Sequence, residues 1–287
     1  MILVDLSPVA YASLMKHLAM TKARTADADL VRHMILNSLR SYRRMFFQEF
    51  GELVICCDSH SWRHDAFPYY KCRRAVTKTA SLYDWDELDR LMKMVREEIR
   101  ENMPYKVLQV PKAEADDIIG TLCAEHGTIL GGDPILIISG DKDFAQLHRF
   151  GNVRQYGPVQ QKDFITVPNP EAHLREMIIT GDPGDDVPNI FSDDDTFANK
   201  AKRQTPISKV NLSKWINSSP SAFCTTDKLR RNYARNKMLV DLTQTPAELQ
   251  KGIIDVFETT TPAKRSKVFS YFVSKKLRTL TESIGEF

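Results

Sequence analysis

The sequence contains no apolar run approaching the roughly 20 residues that a membrane-spanning helix needs, and its mean hydropathy is −0.35. The N-terminus lacks a basic flank and a cleavage site, so we expect no export. The five cysteines are odd in number and show no C-x-x-C spacing, which excludes a disulfide framework and a zinc module. We therefore expect a cytoplasmic protein with reduced thiols that is not bound to a membrane.

The overall composition is that of an ordinary globular protein, with 287 residues, of which 42% are hydrophobic and 27% charged. The net charge of +3 hides an asymmetry along the chain. Residues 1–199 carry 23 Lys and Arg against 30 Asp and Glu, whereas residues 200–287 carry 17 against 7. A basic region on an acidic body is typical of proteins that bind nucleic acid, although exposed lysine-rich helices are also common.

Short apolar runs alternate with helical patterns in the first 180 residues. Continuous apolar runs suit strands buried on both faces, and they occur at 2–6, 53–58 and 135–141, with weaker strand patterns at 107–110 and 153–156. Helical patterns cover 27–49, 84–102 and 113–126. The alternation predicts an α/β fold over residues 1–180, with a mostly parallel central sheet flanked by helices.

The strand pattern stops after about residue 170. Short helices separated by Pro, Ser and Asn are predicted there, at 170–180, 208–217, 227–241 and 262–284. We expect residues 181–287 to form a smaller, basic, helical C-terminal region that binds DNA.

Acidic residues collect where the predicted strands end. Asp5, Asp58 and Asp141 each follow a strand, and Asp143 comes two residues later. Ligands of doubly wound sheets bind in the crevice at the carboxyl ends of the strands. Two further acidic clusters are Glu114, Asp116 and Asp117 in KAEADDIIG, and Asp182, Asp185 and Asp186 in GDPGDDVPN. We expect these carboxylates to meet at one edge of the sheet.

Carboxylates gathered in one pocket repel one another unless a cation neutralises them. Mg²⁺ takes oxygen ligands, and two such ions about 4 Å apart clamp the attacking and leaving oxygens of phosphodiester hydrolysis. Taken singly, each acid is more simply a turn or helix-capping residue, and we assign Asp193, Asp194 and Asp195 to solvent. Capping does not explain acids at three buried strand ends together, so the joint pattern predicts a metal site.

The acidic motifs resemble those of a known family. KAEADD, SGDKDF and GDPGDDVPN, preceded by LVDLS and ICCDS, are similar to the signature blocks of the flap endonuclease and 5′-3′ exonuclease superfamily. The likeness is closest to the ribonuclease H branch of T-even bacteriophages, and it extends to YYKCRR, DWDEL and the terminal KVFSYFV and LTESIGEF. It covers essentially the whole chain and implies a 5′-nuclease fold, related to the PIN fold.

The resemblance also implies two bound ions, Mg²⁺ with Mn²⁺ as a possible substitute. The first ion would be surrounded by Asp5, Asp58, Glu114, Asp116 and Asp141. The second would be held, partly through water, by Asp143, Asp182 and Asp185. The family pattern favours Asp116 as the ligand and Asp117 behind it, yet on a regular helix Asp117 lies nearer to Glu114. A backbone not yet helical at 114–116 would reconcile the two.

A basic and aromatic segment, WRHDAFPYYKCRRAVTK at 62–78, follows Asp58. Cations that neutralise phosphate, beside rings that stack on bases, are typical of a single-strand-binding element. The alternative is an amphipathic surface helix. We expect the nucleic-acid-binding residues to be Arg63, Tyr69, Tyr70, Lys71, Arg73, Arg74 and Lys78.

The resemblance implies that this segment, at about 60–80, is a mobile helical arch over the active site. Lys71 and Arg74 match the positions expected to contact the scissile phosphate, where a cation offsets transition-state charge. The expected catalytic residues are therefore these two cations together with Asp116 and Asp141.

Two features depart from the wider family. Many relatives carry a glycine-rich hairpin after the third acidic block, but here the stretch is NIFSDDDTFANKAKRQT, without glycine. We therefore do not expect the usual duplex grip with its potassium site, a departure that the phage branch shares. Asp5 also lies almost at the start, which leaves little chain for a peptide that binds a sliding clamp.

Together these features predict a Mg²⁺-dependent 5′ nuclease of DNA replication that removes 5′ flaps and RNA primers by two-metal hydrolysis. The expected partners are branched or flapped DNA and RNA–DNA hybrid, with a single-strand binding protein and other replication proteins as family expectations. We expect a monomer, in the host cytosol if phage-encoded. Two alternatives stay open: a non-catalytic, structure-specific DNA-binding protein, and a PIN-like ribonuclease, which normally lacks the arch and the basic C-terminal region.

Overall fold

A six-stranded sheet lies at the centre of the computed structural model, which describes residues 1–158 and 164–287. Its strands are β1 (Ile2–Asp5), β2 (Leu53–Cys56), β3 (Lys106–Leu108), β4 (Ile135–Ile138), β5 (Val153–Tyr156) and β6 (Phe164–Ile165). The strand order is β3-β2-β1-β4-β5-β6, and only the β5–β6 pair is antiparallel. The predicted mostly parallel α/β sheet is confirmed.

Helices cover both faces of this sheet. The first seven are α1 (Leu6–Thr21), α2 (Ala28–Phe50), α3 (Arg63–Ala66), α4 (Arg74–Thr79), α5 (Trp85–Asn102), α6 (Ala115–His126) and α7 (Pro170–Thr180). The next six are α8 (Lys209–Ile216), α9 (Pro220–Phe223), α10 (Asp227–Val240), α11 (Ala247–Thr259), α12 (Ser266–Ser274) and α13 (Arg278–Glu282). Short 3₁₀ helices lie at Lys142–Arg149, Leu242–Gln244 and Ile284–Glu286.

The order of the strands reverses direction at β1. The chain adds β2 and β3 on one side of β1 and then returns to add β4 and β5 on the other side. Such a switch point leaves a crevice between the two halves at the carboxyl ends of the strands. Asp5 closes β1, Asp58 follows β2 and Asp141 follows β4, so the topology brings these three acids to the crevice.

The strands alternate their side chains between two cores, as a pleated sheet requires. On β1, Ile2 and Val4 pack with α1, α2, α5 and α12, whereas Leu3 packs with α6 and α11 on the opposite face. Both faces are therefore covered, which explains why the strands consist of continuous apolar runs. The described residues include no helix that is long and apolar enough to cross a bilayer.

Some elements differ from the prediction. Helix α1, which was not predicted, begins directly after β1, and Pro8 lies in its first turn, where a missing N–H costs no intrahelical hydrogen bond. Helix α11 was not predicted, and Gly252 weakens its pattern. The predicted helix 262–284 is wrong in extent, because Lys276 adopts a left-handed conformation (φ 55°) that separates α12 from α13.

A nearly buried carboxylate, that of Glu98 on α5, joins three helices of the first core. It accepts hydrogen bonds from Arg32 of α2, from Tyr271 of α12 at 2.8 Å, and pairs with Lys275 at 2.8 Å. Burial alone would raise the pKa of Glu98, but these donors outweigh it and lower the pKa to about 2. The ionised form of Glu98 therefore stabilises the folded chain.

We expect Glu98→Gln to lower the melting temperature at pH 7 by at least about 2–4 °C, the shift that about 1 kcal/mol produces in a chain of this size. Because the folded pKa lies below the ordinary value, the stabilisation is present above pH 4.5 and is lost as the pH falls towards 2. The difference in melting temperature between the wild type and Glu98→Gln should therefore decrease as the pH falls from 4.5 towards 2. Glu87→Gln, on a partly exposed residue of the same helix, is the control and should change little. A gap independent of pH would contradict this account.

Candidate metal and nucleic-acid site

A cavity of about 1190 Å³ opens at the carboxyl ends of the strands. All eight predicted metal ligands line it: Asp5, Asp58, Glu114, Asp116, Asp141, Asp143, Asp182 and Asp185. They come from β1, from the residues after β2 and β4, from the start of α6 and from the loop after α7. The structure thus brings together side chains that are up to 180 positions apart in sequence, while their role as ligands stays a prediction.

The three strand-end acids are held by short hydrogen bonds. The hydroxyl of Ser139 donates to Asp5 at 3.0 Å, and that of Ser7 donates to Asp58 at 2.7 Å. The other oxygen of Asp58 accepts from the backbone N–H of residue 115 at 2.9 Å, and Asp141 caps the following 3₁₀ helix. Asp58 and Asp141 are exposed to the cavity, whereas Asp5 is buried beneath them. These bonds set the direction of each carboxylate before any ligand binds.

The start of α6 settles the placement of Asp116 and Asp117. Glu114 is the N-cap and has an extended backbone (φ −83°, ψ 165°), so the helix begins only at the next residue. Its backbone N–H donates to the carboxylate of Asp117 at 3.0 Å, which turns Asp117 into the protein. Asp116 and the side chain of Glu114 therefore both reach the cavity. The backbone is extended at residue 114 as expected, but residues 115 and 116 already belong to the helix, so the non-helical range expected at 114–116 is wrong in extent.

Asp117 is fully buried and has a complete set of partners. The indole N–H of Trp62 donates to it at 3.2 Å, the guanidinium of Arg63 at 3.0 Å, and the hydroxyl of Thr245 at 2.9 Å. A buried carboxylate with these donors has no free oxygen for the cavity. Its position behind Glu114 agrees with the supporting role expected from the sequence.

Basic side chains pair with the carboxylates of the cavity that do not lie at strand ends. Lys71 forms an ion pair with Glu114 and lies 3.4 Å from Asp185, and Arg74 lies 3.2 Å from the same Asp185. Lys142 pairs with Asp182 at 3.0 Å. Burial alone would raise the pKa of Glu114, but the charge of Lys71 is the largest opposing effect, and the pKa falls to about 2. Glu114 is therefore ionised at neutral pH.

Three acids of the cavity, Asp5 and the partly buried Asp116 and Asp143, are destabilised in their ionised forms. Burial raises the pKa of Asp5, Asp116 and Asp143 well above the usual range, and neighbouring carboxylates in the cavity raise each pKa further. One oxygen of Asp143 is buried and accepts no hydrogen bond from the described residues. Groups of this kind are stabilised by a cation, which would favour their ionised forms.

The donor set fits a hard divalent cation. It consists of carboxylate oxygens, which are the ligands that Mg²⁺ and Mn²⁺ prefer, and it includes an unpaired oxygen on Asp143. Within residues 1–158 and 164–287, no three Asp, Glu, His or Cys side chains already converge on a single coordination point.

Several residues of the basic segment are buried, which corrects part of the sequence prediction. Arg63 and Tyr70 were expected to contact nucleic acid, but they are only 2% and 4% exposed. Phe67 and Tyr70 pack against α7 and α10, and Trp62 is buried as well. Composition shows which residues could stack on bases, but apolar burial against the C-terminal helices turned these rings inward.

The outer part of the segment keeps its cations accessible. Residues 73–80, which include α4, are exposed, and Arg73, Arg74 and Lys78 lie on it. Tyr69 is half-buried against Phe67. The segment is fastened at its base, where the backbone N–H of Lys71 donates to the carbonyl of Asp185 at 2.9 Å. Lys71 and Arg74, which are predicted to contact phosphate, therefore line the acidic cavity.

The structure also corrects the prediction for the glycine-free stretch after the third acidic block. Asp194 was assigned to solvent, but it is half-buried and paired with Arg231 and Arg235 of α10. Asp193 pairs with Lys228 of the same helix at 2.7 Å. Asp193 and Asp194 therefore pair with basic side chains of α10, and these ion pairs anchor the loop to that helix.

Sequence reasoning missed several polar residues of the site. Lys142, between Asp141 and Asp143, compensates the third acidic block, and Ser7 and Ser139 orient strand-end carboxylates. Their positions within LVDLS and SGDKDF were visible in the sequence. The sequence alone does not indicate that a serine two residues from one aspartate donates its hydroxyl to a different aspartate, across the sheet.

Comparisons with known proteins place these features in a family. The profile described as the 5′-3′ exonuclease N-terminal resolvase-like domain matches residues 1–175, and the profile described as the C-terminal part of T4 RNase H matches residues 169–287. Ribonuclease H of Enterobacteria phage T4 is 30% identical over 294 aligned positions, which cover 99% of this chain and 95% of the relative. The thermostable DNA polymerase I of Thermus filiformis is 27% identical over 66% of this chain and 22% of that protein.

Solved structures share the fold. A bacteriophage T5 protein crystallised with metal ions superposes with a TM-score of 0.58 at 15% identity, covering 90% of this chain and 98% of that one. A pseudo-enzyme–product complex of the T5 flap endonuclease with DNA and metal ions gives 0.58 at 16% identity, covering 90% and 97%. Since one family profile spans more than half of the chain and the phage T4 relative matches nearly all of it, this chain belongs to the 5′-3′ exonuclease family, in the branch that includes T4 ribonuclease H.

Proposed function

We propose that this 5′ nuclease is a divalent-metal-dependent 5′-3′ exonuclease and flap endonuclease that hydrolyses phosphodiester bonds with two ions. The observation that supports it best is the convergence of eight carboxylates in one cavity at the switch point of the sheet. A cavity so rich in acids would repel a phosphodiester unless cations reversed its charge. Metal ions are therefore needed to bring the scissile phosphate into the cavity, whereas the basic surfaces described below can hold the rest of the DNA without metal.

The proposed ligands divide into two groups, as the family resemblance implies. Asp5, Asp58, Glu114, Asp116 and Asp141 are the proposed ligands of one Mg²⁺. Asp143, Asp182 and Asp185 are the proposed ligands of the other, with Mn²⁺ as a possible substitute. When bound, such a pair lowers the pKa of the attacking water and stabilises the leaving 3′ oxygen. The chain itself fixes the direction of Asp5 through Ser139, and that of Asp58 through Ser7 and the backbone at α6.

Substrate binding is assigned to two surfaces. Lys71, Arg73, Arg74 and Lys78 of the arch are proposed to bind single-stranded phosphates beside the cavity. Residues 181–287 are proposed to bind the duplex, because this region carries the excess of positive charge. The proposed substrates are flapped or branched DNA and RNA–DNA hybrid, in keeping with the names of the phage T4 and T5 relatives.

We expect Asp141→Asn to reduce cleavage of a 5′-flap substrate by about a hundredfold or more, because it removes a preorganised charge from the site. The asparagine oxygen can still cap the 3₁₀ helix by accepting from the N–H of Asp143, so folding and flap binding should persist. The measurement is a Mg²⁺ titration with end-labelled products, and EDTA should stop the reaction. Asp27→Asn is the matched control, because Asp27 caps α2 in the same way far from the cavity. Undiminished cleavage by Asp141→Asn would contradict the metal proposal.

We expect Lys71→Met to lower the single-turnover rate by about a hundredfold while flap affinity changes much less, because its charge acts on the scissile phosphate in the transition state. Lys112→Met is the matched control. Both lysines have left-handed backbones (φ 52° and 66°), but Lys112 is exposed and pairs with Asp65 outside the cavity. Equal losses in the two variants would show that Lys71 has no special role. Measuring affinity in EDTA separates binding from chemistry.

A further inference from the structure

The end of α10 is fastened to the site by buried hydrogen bonds. The 239–245 segment, which runs from the last turn of α10 through the 3₁₀ turn, is almost wholly buried at Leu239, Val240, Asp241, Leu242 and Thr245. Buried backbone groups need partners, and here several of those partners are side chains of the catalytic half of the chain. The contacts fall into two arms.

The first arm is Gln146 of the 3₁₀ helix 142–149, which is 1% exposed. Its amide nitrogen donates to the carbonyl of Val240 at 3.1 Å, and its amide oxygen accepts from the N–H of Leu242 at 2.9 Å. The same nitrogen donates to the carbonyl of Asp143 at 2.9 Å. One amide therefore connects the segment to the backbone of a proposed metal ligand, whose own buried oxygen is unpaired.

The second arm reaches the start of α6. Arg63 donates to the carbonyl of Leu239 at 2.8 Å and also to Glu114 and Asp117, while the hydroxyl of Thr245 donates to Asp117 at 2.9 Å. The segment also packs closely against α6 itself. A Cβ built on Gly120 would lie 2.9 Å from the Cβ of Leu242, so only glycine permits this approach.

We propose that the 239–245 segment, through Gln146, positions the carboxylates of the site. The inference rests on the proposed function, because it concerns the same carboxylates. Gln146 is a positioning residue: it touches neither the cavity nor the phosphate path, but it fixes the backbone from which Asp143 projects. Residues that orient metal ligands in this way commonly affect metal affinity as strongly as activity. The segment continues α10, so the helical region and the site share one support.

The test replaces Gln146 by methionine, which conserves volume and removes all three hydrogen bonds. Binding of Mn²⁺ to the full chain without DNA is measured by electron paramagnetic resonance, and binding of flap DNA in EDTA by fluorescence anisotropy. We expect the dissociation constant for Mn²⁺ to rise about tenfold, while that for flap DNA stays within about twofold because no DNA-contacting residue is changed.

Asn152→Leu is the matched control. Asn152 also binds three backbone groups, those of Thr128, His126 and Asp133, but at the opposite end of the sheet. It should lower the melting temperature and leave Mn²⁺ binding unchanged. Gly120→Ala is an independent perturbation, because it displaces Leu242 without removing any polar group, and it should weaken Mn²⁺ binding as Gln146→Met does.

Each outcome has one meaning. If Gln146→Met and Gly120→Ala melt at lower temperature but bind Mn²⁺ like the wild type, Gln146 only stabilises the fold, and the inference is wrong while the proposed function stands. If the wild type itself binds no Mn²⁺ and cleaves no flap, the proposed function is wrong instead. Weakened Mn²⁺ binding in both variants, with the control unaffected, supports the inference.

Discussion

Repulsion among the carboxylates at the strand ends is the constraint on which the rest of this structure depends. Two unit charges about 4 Å apart repel by about 4 kcal/mol at an effective dielectric constant near 20, and nine acidic residues line the cavity, the eight predicted ligands and Asp89. Hydroxyl groups donate hydrogen bonds to Asp5 and Asp58, and basic side chains pair with Glu114, Asp182 and Asp185. No hydroxyl or cation among the described residues pairs with Asp116 or Asp143, and burial, followed by the charges of neighbouring carboxylates, raises the pKa of both.

The same cations link the charge balance of the site to the basic segment at 62–78. Lys71 and Arg74 belong to this segment but pair with Glu114 and Asp185 of the cavity. Arg73 donates from its backbone N–H to Asp186 at 2.8 Å, and its side chain pairs with the same carboxylate. The base of the basic segment therefore contacts the loop that holds the third acidic block. Any change in charge at that loop acts directly on the segment proposed to bind single-stranded phosphates.

The C-terminal helices complete the site as well as carrying positive charge. Arg63 shows this most clearly, because its guanidinium is enclosed between the carbonyl of Leu239 and the carboxylates of Glu114 and Asp117. A buried arginine with this set of acceptors is costly to leave unpaired. The packing of Phe67 and Tyr70 against the same region gives the base of the basic segment a firm core, while residues 73–80 remain exposed.

The sequence by itself determined the α/β class, the strands around Ile2–Asp5 and Ile135–Ile138, and the acids that line the cavity. These follow from local patterns, because buried parallel strands need continuous apolar runs and a parallel sheet brings its carboxyl ends to one edge. Only the tertiary structure decided that Asp117 faces inward while Asp116 faces the cavity, that Arg63 and Tyr70 are buried, and that Gln146 joins Asp143 to the end of α10. The direction of a side chain depends on partners tens to more than a hundred residues away, and no local pattern contains that information.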